Sequence, residues 1–336
     1  MKFLKNLLKV LVVLFGLLIA ILYITDTDYL LKAVRTIYMR GYTTAFLDDY
    51  KRFDNRTIDV GTPQPWPNHK NYNTAKETET LQKANKDWGT VAYVIIKNDS
   101  IWYENYFDGY NENSKSNSFS MAKSYVSGLL GKALMEGYIK SLDEPVCNYL
   151  PEFCDGLAAK MTVGDLSTMS SGTNWDEAYY SPLSITTRAY FDDDLAKVMN
   201  GLKVVEEPGK AFKYASGDTQ MLAMVIEKAT GKKLYTYLEE SFWKPLGSEN
   251  QTLWQVDSDN HDLVKAYCCI ASNAKDFARF GKLYKDHGKW NGKQVLDSAF
   301  VAKSLTPKFD PVYGYGWWLK NYNGKDFKMM RGHLGQ

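Results

Sequence analysis

Three Ser-x-x-Lys spacings occur in the 336-residue chain, at Ser120–Lys123, Ser241–Lys244 and Ser272–Lys275. On a helix, positions i and i+3 share a face. A Lys one turn after a Ser can take its hydroxyl proton when burial or a nearby cation keeps the amine neutral. The Ser oxygen is then free to attack a carbonyl. A Ser in the first turn of a helix also lies beside unpaired backbone N–H groups, which stabilise negative charge. Context separates the three matches. Ser241 ends a helical stretch, and Pro245 follows Lys244. Ser272 reads as an N-cap for the helix that carries Phe277 and Phe280. Ser120 opens a long helix directly after the polar run NENSKSNS (111–118), and Met121, Tyr125, Leu129 and Leu130 form the stripe that buries it. The plain alternative for this motif alone is a helix start with a surface Lys.

A Tyr hydroxyl near cations can relay protons, and Tyr-x-Ser/Asn recurs at Tyr103, Tyr125, Tyr179 and Tyr214. Only Tyr214 has a distinctive setting, after the Pro208-Gly209 turn and a short apolar stretch, and just before a helix start. Ser216 beside it reads equally well as an N-cap. The one His-x-Gly is His333-Leu334-Gly335. A His on an edge strand can bind a carboxylate or carbonyl, and the Gly lets the backbone approach a ligand closely. A lone His is more often structural. His69, His261 and His287 lie in polar stretches and read as surface. Gly-x-Ser-x-Gly is absent.

Elements able to position these groups can be read around them. Residues 91–106 read as a hairpin turning at Asn98-Asp99. A helix is expected over 120–136, ended by Gly137, with others over 218–230, 233–242 and 274–284. YGYGWWLK (313–320) reads as a strand, with a last strand beginning near Phe327. Strands at 88–108 and 312–336 would build one sheet with helices on both faces, and 145–265 a helical lobe beside it. Residues 25–87, polar and irregular, read as a linker or N-terminal extension.

The N-terminus reads differently. Lys2, Lys5 and Lys9 make a basic start, Val10 to Ile24 carries no charge, and the apolar stretch from Leu7, about 18 residues interrupted at Lys9, is near the lower limit for spanning a bilayer. A cleaved signal peptide shares this layout but ends in small residues, whereas Leu22-Tyr23-Ile24 is bulky. The expectation is an uncleaved single-pass anchor with the rest of the chain exported, secretion after cleavage being the alternative. Hydrophobic residues are 45% and charged residues 24%, which excludes a disordered or coiled-coil chain. Lys plus Arg is 41 against 39 Asp plus Glu, so no nucleic-acid partner is expected. The four cysteines contain no C-x-x-C, and no metal or cofactor is expected. Cys147 and Cys154 could pair across a short loop, although four cysteines allow three connectivities. Cys268 and Cys269 read as buried thiols.

Taken together, Ser120-Met121-Ala122-Lys123, Tyr214-Ala215-Ser216 and His333-Leu334-Gly335 resemble the three motifs of the serine beta-lactamase and penicillin-binding protein superfamily. They are most similar to the class C beta-lactamase-related hydrolases, the group that includes 6-aminohexanoate-dimer hydrolase and esterases. TVGDLSTMSSG (162–172), the stretch 208–247 ending in WKPLG, and AYCCIASNAKDFARFGKLY (266–284) extend the likeness over about 88–336.

The resemblance implies an α/β (α+β) fold, an antiparallel sheet flanked by helices with a helical lobe. It implies an acyl-enzyme on Ser120, with Lys123 as base, Tyr214 as proton relay and His333 in support. Backbone N–H groups of Ser120 and Gln336 would form the oxyanion hole. Ser216, Gly335, Trp175, Asp176 and Tyr179 would line the substrate cleft. The Tyr motif ends in Ser216 instead of Asn, and the third motif is His-Leu-Gly instead of Lys-Thr/Ser-Gly. Both departures are typical of the non-lactamase branch. The family continues past the third motif with two strands and a helix, so the chain reads as truncated. A hydrolase of small-molecule amides or esters is expected, with carboxypeptidase and beta-lactamase activity inside that range. The other class is an acylation-only or non-catalytic sensor of the same fold for cell-wall peptides or beta-lactams. Oligomeric state is not legible.

Overall fold

The computed structural model describes residues 1–336. Its first element is α1 (Lys2–Ile24), a 23-residue helix with no buried residue. It is the one helix long and apolar enough to cross a membrane. Four residues later α2 (Tyr29–Thr36) buries Tyr29, Ala33 and Thr36. Tyr29, Ala33, Ile37, Phe46, Phe53 and Phe191 then make a small apolar cluster of their own. The stretch expected as a linker therefore packs onto the domain. It also supplies β1 (Asn55–Ile58) and α3 (Glu79–Trp88).

The hairpin of β2 (Ala92–Lys97) and β3 (Ser100–Tyr106) forms as expected. Asn98 and Asp99 both take positive φ, at 49° and 59°. That is the type I′ geometry which matches the twist of the flanking strands. Next come β4 (Ser116–Asn117) and α4 (Ala122–Met135). Residues 122–131 of α4 are all buried, so this helix is enclosed on every side instead of amphipathic. Gly128 and Gly131 make that possible, since a Cβ would meet the Phe280 ring at 2.6 Å and the Phe300 ring at 2.2 Å.

The lobe holds α5 (Val163–Ser167), α6 (Ile185–Phe191), α7 (Leu195–Asn200), α8 (Ser216–Thr230) and α9 (Leu234–Leu238). Helix α8 ends at Gly231, at φ +67°. Strands β5 (Thr252–Gln255) and β6 (Ile270–Ser272) precede α10 (Ala274–Lys285). That helix is capped by Asn273, not by the expected Ser272. After it come β7 (Lys289–Trp290), β8 (Lys293–Gln294), α11 (Ser298–Ser304), β9 (Trp318–Tyr322) and β10 (Lys325–Met329).

The fold is of the expected kind, antiparallel strands flanked by helices, but the pairing differs in detail. The central sheet runs β1-β5-β6-β4, while β2–β3 and β9–β10 stand as separate hairpins. No strand pairing joins the two hairpins, and a cavity of about 350 Å³ is lined by Val91–Val94 together with Met330, Gly335 and Gln336. Strand β10 ends at Met329, and His333–Gly335 is a 3-10 turn instead of strand. Both cysteine pairs, Cys147–Cys154 and Cys268–Cys269, are disulfide-bonded. Cys268 and Cys269 are buried as expected but not as thiols.

Candidate active site

Ser120 is held by the turn that leads from β4 into α4. Ser118 N–H donates to the Ile270 carbonyl at 2.7 Å, and Ile270 N–H returns a bond to Ser118 Oγ at 3.1 Å. Asn117 Oδ1 accepts Phe119 N–H at 2.9 Å. Phe119 is forced to φ +44°, a conformation that costs a non-glycine residue about 1–3 kcal/mol. One 3-10 turn, Phe119–Met121, then enters α4. The helix thus begins slightly later than its sequence indicates, and Ser120 sits on the turn that precedes it.

Lys123, one turn on, is not the surface residue of the plain reading, being only 3% exposed. Its Nζ donates to Ser120 Oγ at 2.9 Å and to the Tyr267 carbonyl at 2.9 Å. Burial drags the amine from its ordinary 10.5 down to about 8, against the opposing pull of Glu177. That depression amounts to roughly 3 kcal/mol against the charged form. The charge acting on the amine, that of Glu177, favours its cation, so desolvation and not a neighbouring cation shifts Lys123 toward its neutral form.

Tyr214 lies over this amine, its ring centroid 5.1 Å from Lys123 Nζ. Trp318 and Tyr313 pack on its other sides, at 5.3 and 6.1 Å. Burial raises the Tyr214 hydroxyl above its usual range; the nearby Ser120 hydroxyl and Arg331 counter the rise, and Glu177 adds to it. Tyr214 is therefore a neutral phenol at working pH, able to donate one proton and accept another.

The cleft residues gather on a group the sequence reading passed over. The Glu177 carboxylate accepts Trp175 Nε1–H at 2.6 Å, Tyr179 O–H at 2.5 Å, Ser216 N–H at 2.8 Å and Ser216 O–H at 2.6 Å. Ser216 is the first residue of α8, not its cap, which is Ala215. A carboxylate there meets both a free backbone donor and the positive end of the helix dipole. Asp176, the acid expected to line the cleft, is exposed instead. The alternation around Trp175 was the available signal: Glu177 lies two residues from both Trp175 and Tyr179. Trp175 itself is buried, a wall behind the cleft. Gly217 admits it, since a Cβ there would meet the indole at 2.5 Å. Asp218, fully buried, accepts Ser171 O–H at 2.6 Å and ties the 162–172 loop to α8.

His333 approaches from the opposite side. Its ring stacks on Tyr179 at 5.6 Å and meets Phe119 edge-on at 5.5 Å. Burial lowers its pKa, which favours the neutral ring, and Nε2 is enclosed without a partner. Gly335 takes φ +82° with nothing where a Cβ would be. Gln336 accepts Ser116 O–H through Oε1 at 3.2 Å and Gly332 N–H through its backbone carbonyl at 2.8 Å. These bonds bring the third motif against the strand that leads to Ser120. Phe119, Ser120, Tyr179, Ser216, Tyr267 and His333 line one cavity of about 300 Å³. The structure thus places Ser120, Tyr179, Ser216 and His333 on one cavity, with Lys123 and Tyr214 against Ser120 and Trp175 behind them; Asp176 is exposed, and Gly335 and Gln336 line a different cavity, beside β2.

Comparison with known proteins bears on the family and the fold. The sequence model of the Beta-lactamase family matches residues 76–336. The chain is 24% identical over 235 residues to 6-aminohexanoate-dimer hydrolase of Paenarthrobacter ureafaciens, covering 67% of this chain and 59% of that protein. The chain therefore spans less than two thirds of that relative's length. Among solved structures it resembles "Putative 6-aminohexanoate-dimer hydrolase from Bacillus anthracis", with TM-score 0.70, 21% identity and coverage of 91% and 84% of the two chains. It also resembles a D-stereospecific amidohydrolase from Streptomyces, with TM-score 0.55, 19% identity and coverage of 69% and 79%. These structural likenesses speak for the fold.

Proposed function

The chain belongs to the Beta-lactamase family, and on that premise we propose that it is a serine hydrolase of amides or esters. The observation that carries the reading is the 2.9 Å contact between Ser120 Oγ and the buried, easily neutralised Lys123 amine. Neutral Lys123 takes the Ser120 proton as Oγ attacks the substrate carbonyl. The tetrahedral oxyanion is received by the backbone N–H groups of Ser120 and Gln336. Tyr214 gives its hydroxyl proton to the departing amine or alcohol and takes in its place the proton that Lys123 received from Ser120, and the C–N or C–O bond breaks to leave an ester on Ser120 with Lys123 neutral again. Water then attacks that ester, Tyr214 and Lys123 carry its proton back to Oγ, and the acid is released. His333, neutral and stacked on Tyr179, supports the cleft wall. No step calls on a metal or cofactor.

In the same reading α1 anchors the enzyme in a membrane with the domain on the exported side. The bare apolar surface of α1 and its basic flank support this. Two disulfides also suit an oxidising compartment. Cleavage after α1 would release the same domain.

Fluorophosphonate labelling of the full chain, followed by peptide mapping and burst kinetics with a nitrophenyl ester, tests the proposal. Label on the peptide containing Ser120 together with steady turnover is expected. Label elsewhere would overturn the assignment. One stoichiometric burst without turnover would replace the hydrolase with an acylation-only sensor.

A further inference from the structure

The cavity that holds Ser120 does not stop at the catalytic groups. Its far side is built by the segment that follows the membrane helix: Leu30, Ala33, Val34, Ile37 and Tyr38 line the same space as Ser120 and His333. Beyond the catalytic polar groups, hydrophobic side chains dominate this lining. An apolar wall offers nothing to a charged or sugar-like substrate and rewards each methylene it covers.

Helix α2 is fixed in that position. Tyr29 O–H donates to the Pro182 carbonyl at 3.0 Å, and Lys32 pairs with Asp193 at 2.5 Å. Asp26, in the link between the two helices, pairs with Lys197 at 2.9 Å and with Arg188. The apolar face of α2 also packs on Phe191 of α6. Five residue steps separate Ile24 from Tyr29, a reach of at most about 18 Å. The cavity wall therefore stands close to the level where α1 would leave a bilayer. Val34 and Tyr38 on that wall, and Tyr180 across from them, remain largely exposed. Apolar and aromatic side chains of this kind suit a membrane interface.

We propose that the substrate is an ester or amide carrying an unbranched apolar chain, and that this chain lies along α2 while its carbonyl meets Ser120. The proposal rests on the hydrolase reading and narrows it to one substrate class. The chain's source is either a lipid in the bilayer or a soluble acyl conjugate; both present the same chemistry to the cavity.

The test uses the full chain in detergent micelles with nitrophenyl acetate, butyrate and octanoate. kcat/KM is expected to rise about fourfold per methylene until the cavity is filled. Ala33→Phe fills the wall and should lower the octanoate-to-acetate ratio at least tenfold. Val34→Asp, at an exposed position where folding is not at stake, should lower the same ratio by placing a charge at the mouth. Labelling of Ser120 by ethyl and octyl fluorophosphonates reads the cavity without turnover, and the octyl reagent should react at least tenfold faster. Turnover or labelling indifferent to chain length, or a ratio unmoved by both variants, overturns this inference and leaves the hydrolase reading standing. No reaction with either class of reagent removes the hydrolase reading and this inference with it. Octanoate ester supplied in co-reconstituted vesicles and from the aqueous side then separates the sources: faster turnover from vesicles assigns the bilayer, equal rates a soluble conjugate.

Discussion

The Glu177 carboxylate receives both the backbone N–H and the hydroxyl of Ser216, at 2.8 and 2.6 Å. A loop residue is thereby locked to the first turn of α8, two residues after Tyr214. The same carboxylate pulls Lys123 toward its charged form and so works against the neutral base. Glu177→Gln keeps the shape and removes the charge. It should move the rising limb of the pH–rate profile to lower pH, because Lys123 loses the one charge that favours its cation. Glu177→Ala strands the Trp175 and Ser216 donors, at about 1–3 kcal/mol for a buried donor left unpaired. It should lower both kcat/KM and the denaturation midpoint. A pH profile unchanged in Glu177→Gln would show that Glu177 holds the loop and has no electrical role.

For the unaltered enzyme, kcat/KM should climb with pH and level off above about 8. Lys123 is depressed to that value by burial, and only its neutral form can take the Ser120 proton. The same group has a stability sign. Between about 8 and 10.5 the unfolded chain binds a proton that the folded chain does not, so its contribution to stability rises with pH across that window. A profile flat from pH 6 to 9 in a labelled, active enzyme would remove Lys123 as the base.

Substitutions at the catalytic centre should fall in a definite order. Ser120→Ala abolishes covalent labelling, since no other hydroxyl touches the buried amine. Lys123→Ala leaves the nucleophile without its base, a loss of about 10²–10⁴-fold. Tyr214→Phe should slow acylation and deacylation alike, which single-turnover and burst measurements separate. His333→Ala should be the mildest, because a neutral ring stacked on Tyr179 shapes the wall and carries no proton in the scheme. Activity surviving in Ser120→Ala but lost in Ser241→Ala or Ser272→Ala would reverse the assignment of the motif.

What could be read in advance follows the range of the interactions. The Ser120–Lys123 pair spans one helical turn, so its spacing was visible, as was the Asn98-Asp99 hairpin, whose partners adjoin. Glu177 was missed because its value arises only when residues 175–179 meet the start of α8, some forty residues on. The pairing of β1 with β5 joins residues about two hundred apart, and the polar sequence around β1 carries no mark of it. The third motif was expected as strand, yet Gly332 is pressed so tightly on Ser118 that a Cβ would lie 2.4 Å from its carbonyl. That close approach turns 333–335 away from a ladder and into the cleft wall. Helix α2 was overlooked for a related reason: its apolar side is short, and its partners Tyr190 and Phe191 lie in α6.

Asp218 gives a stability test independent of catalysis. It is fully buried on α8 and accepts Ser171 O–H and Thr173 O–H through one oxygen and Ser171 N–H through the other. Burial raises its pKa from 3.8 to about 7, although those hydrogen bonds favour the carboxylate. The folded chain then holds a proton that the unfolded chain releases between about pH 4 and 7, so this group's contribution to stability falls as pH rises through that window. The loss approaches roughly 4 kcal/mol if the whole shift is realised. Asp218→Asn cannot ionise and removes the dependence. The stability gap between the parent and this variant should therefore narrow or reverse from pH 4 to pH 7 and hold constant above it. Denaturant midpoints measured for both proteins across pH 4–8 check this. Parallel curves would mean that Asp218 titrates alike in the folded and unfolded chains, and that hydrogen bonds from the 171–173 loop fully offset its burial.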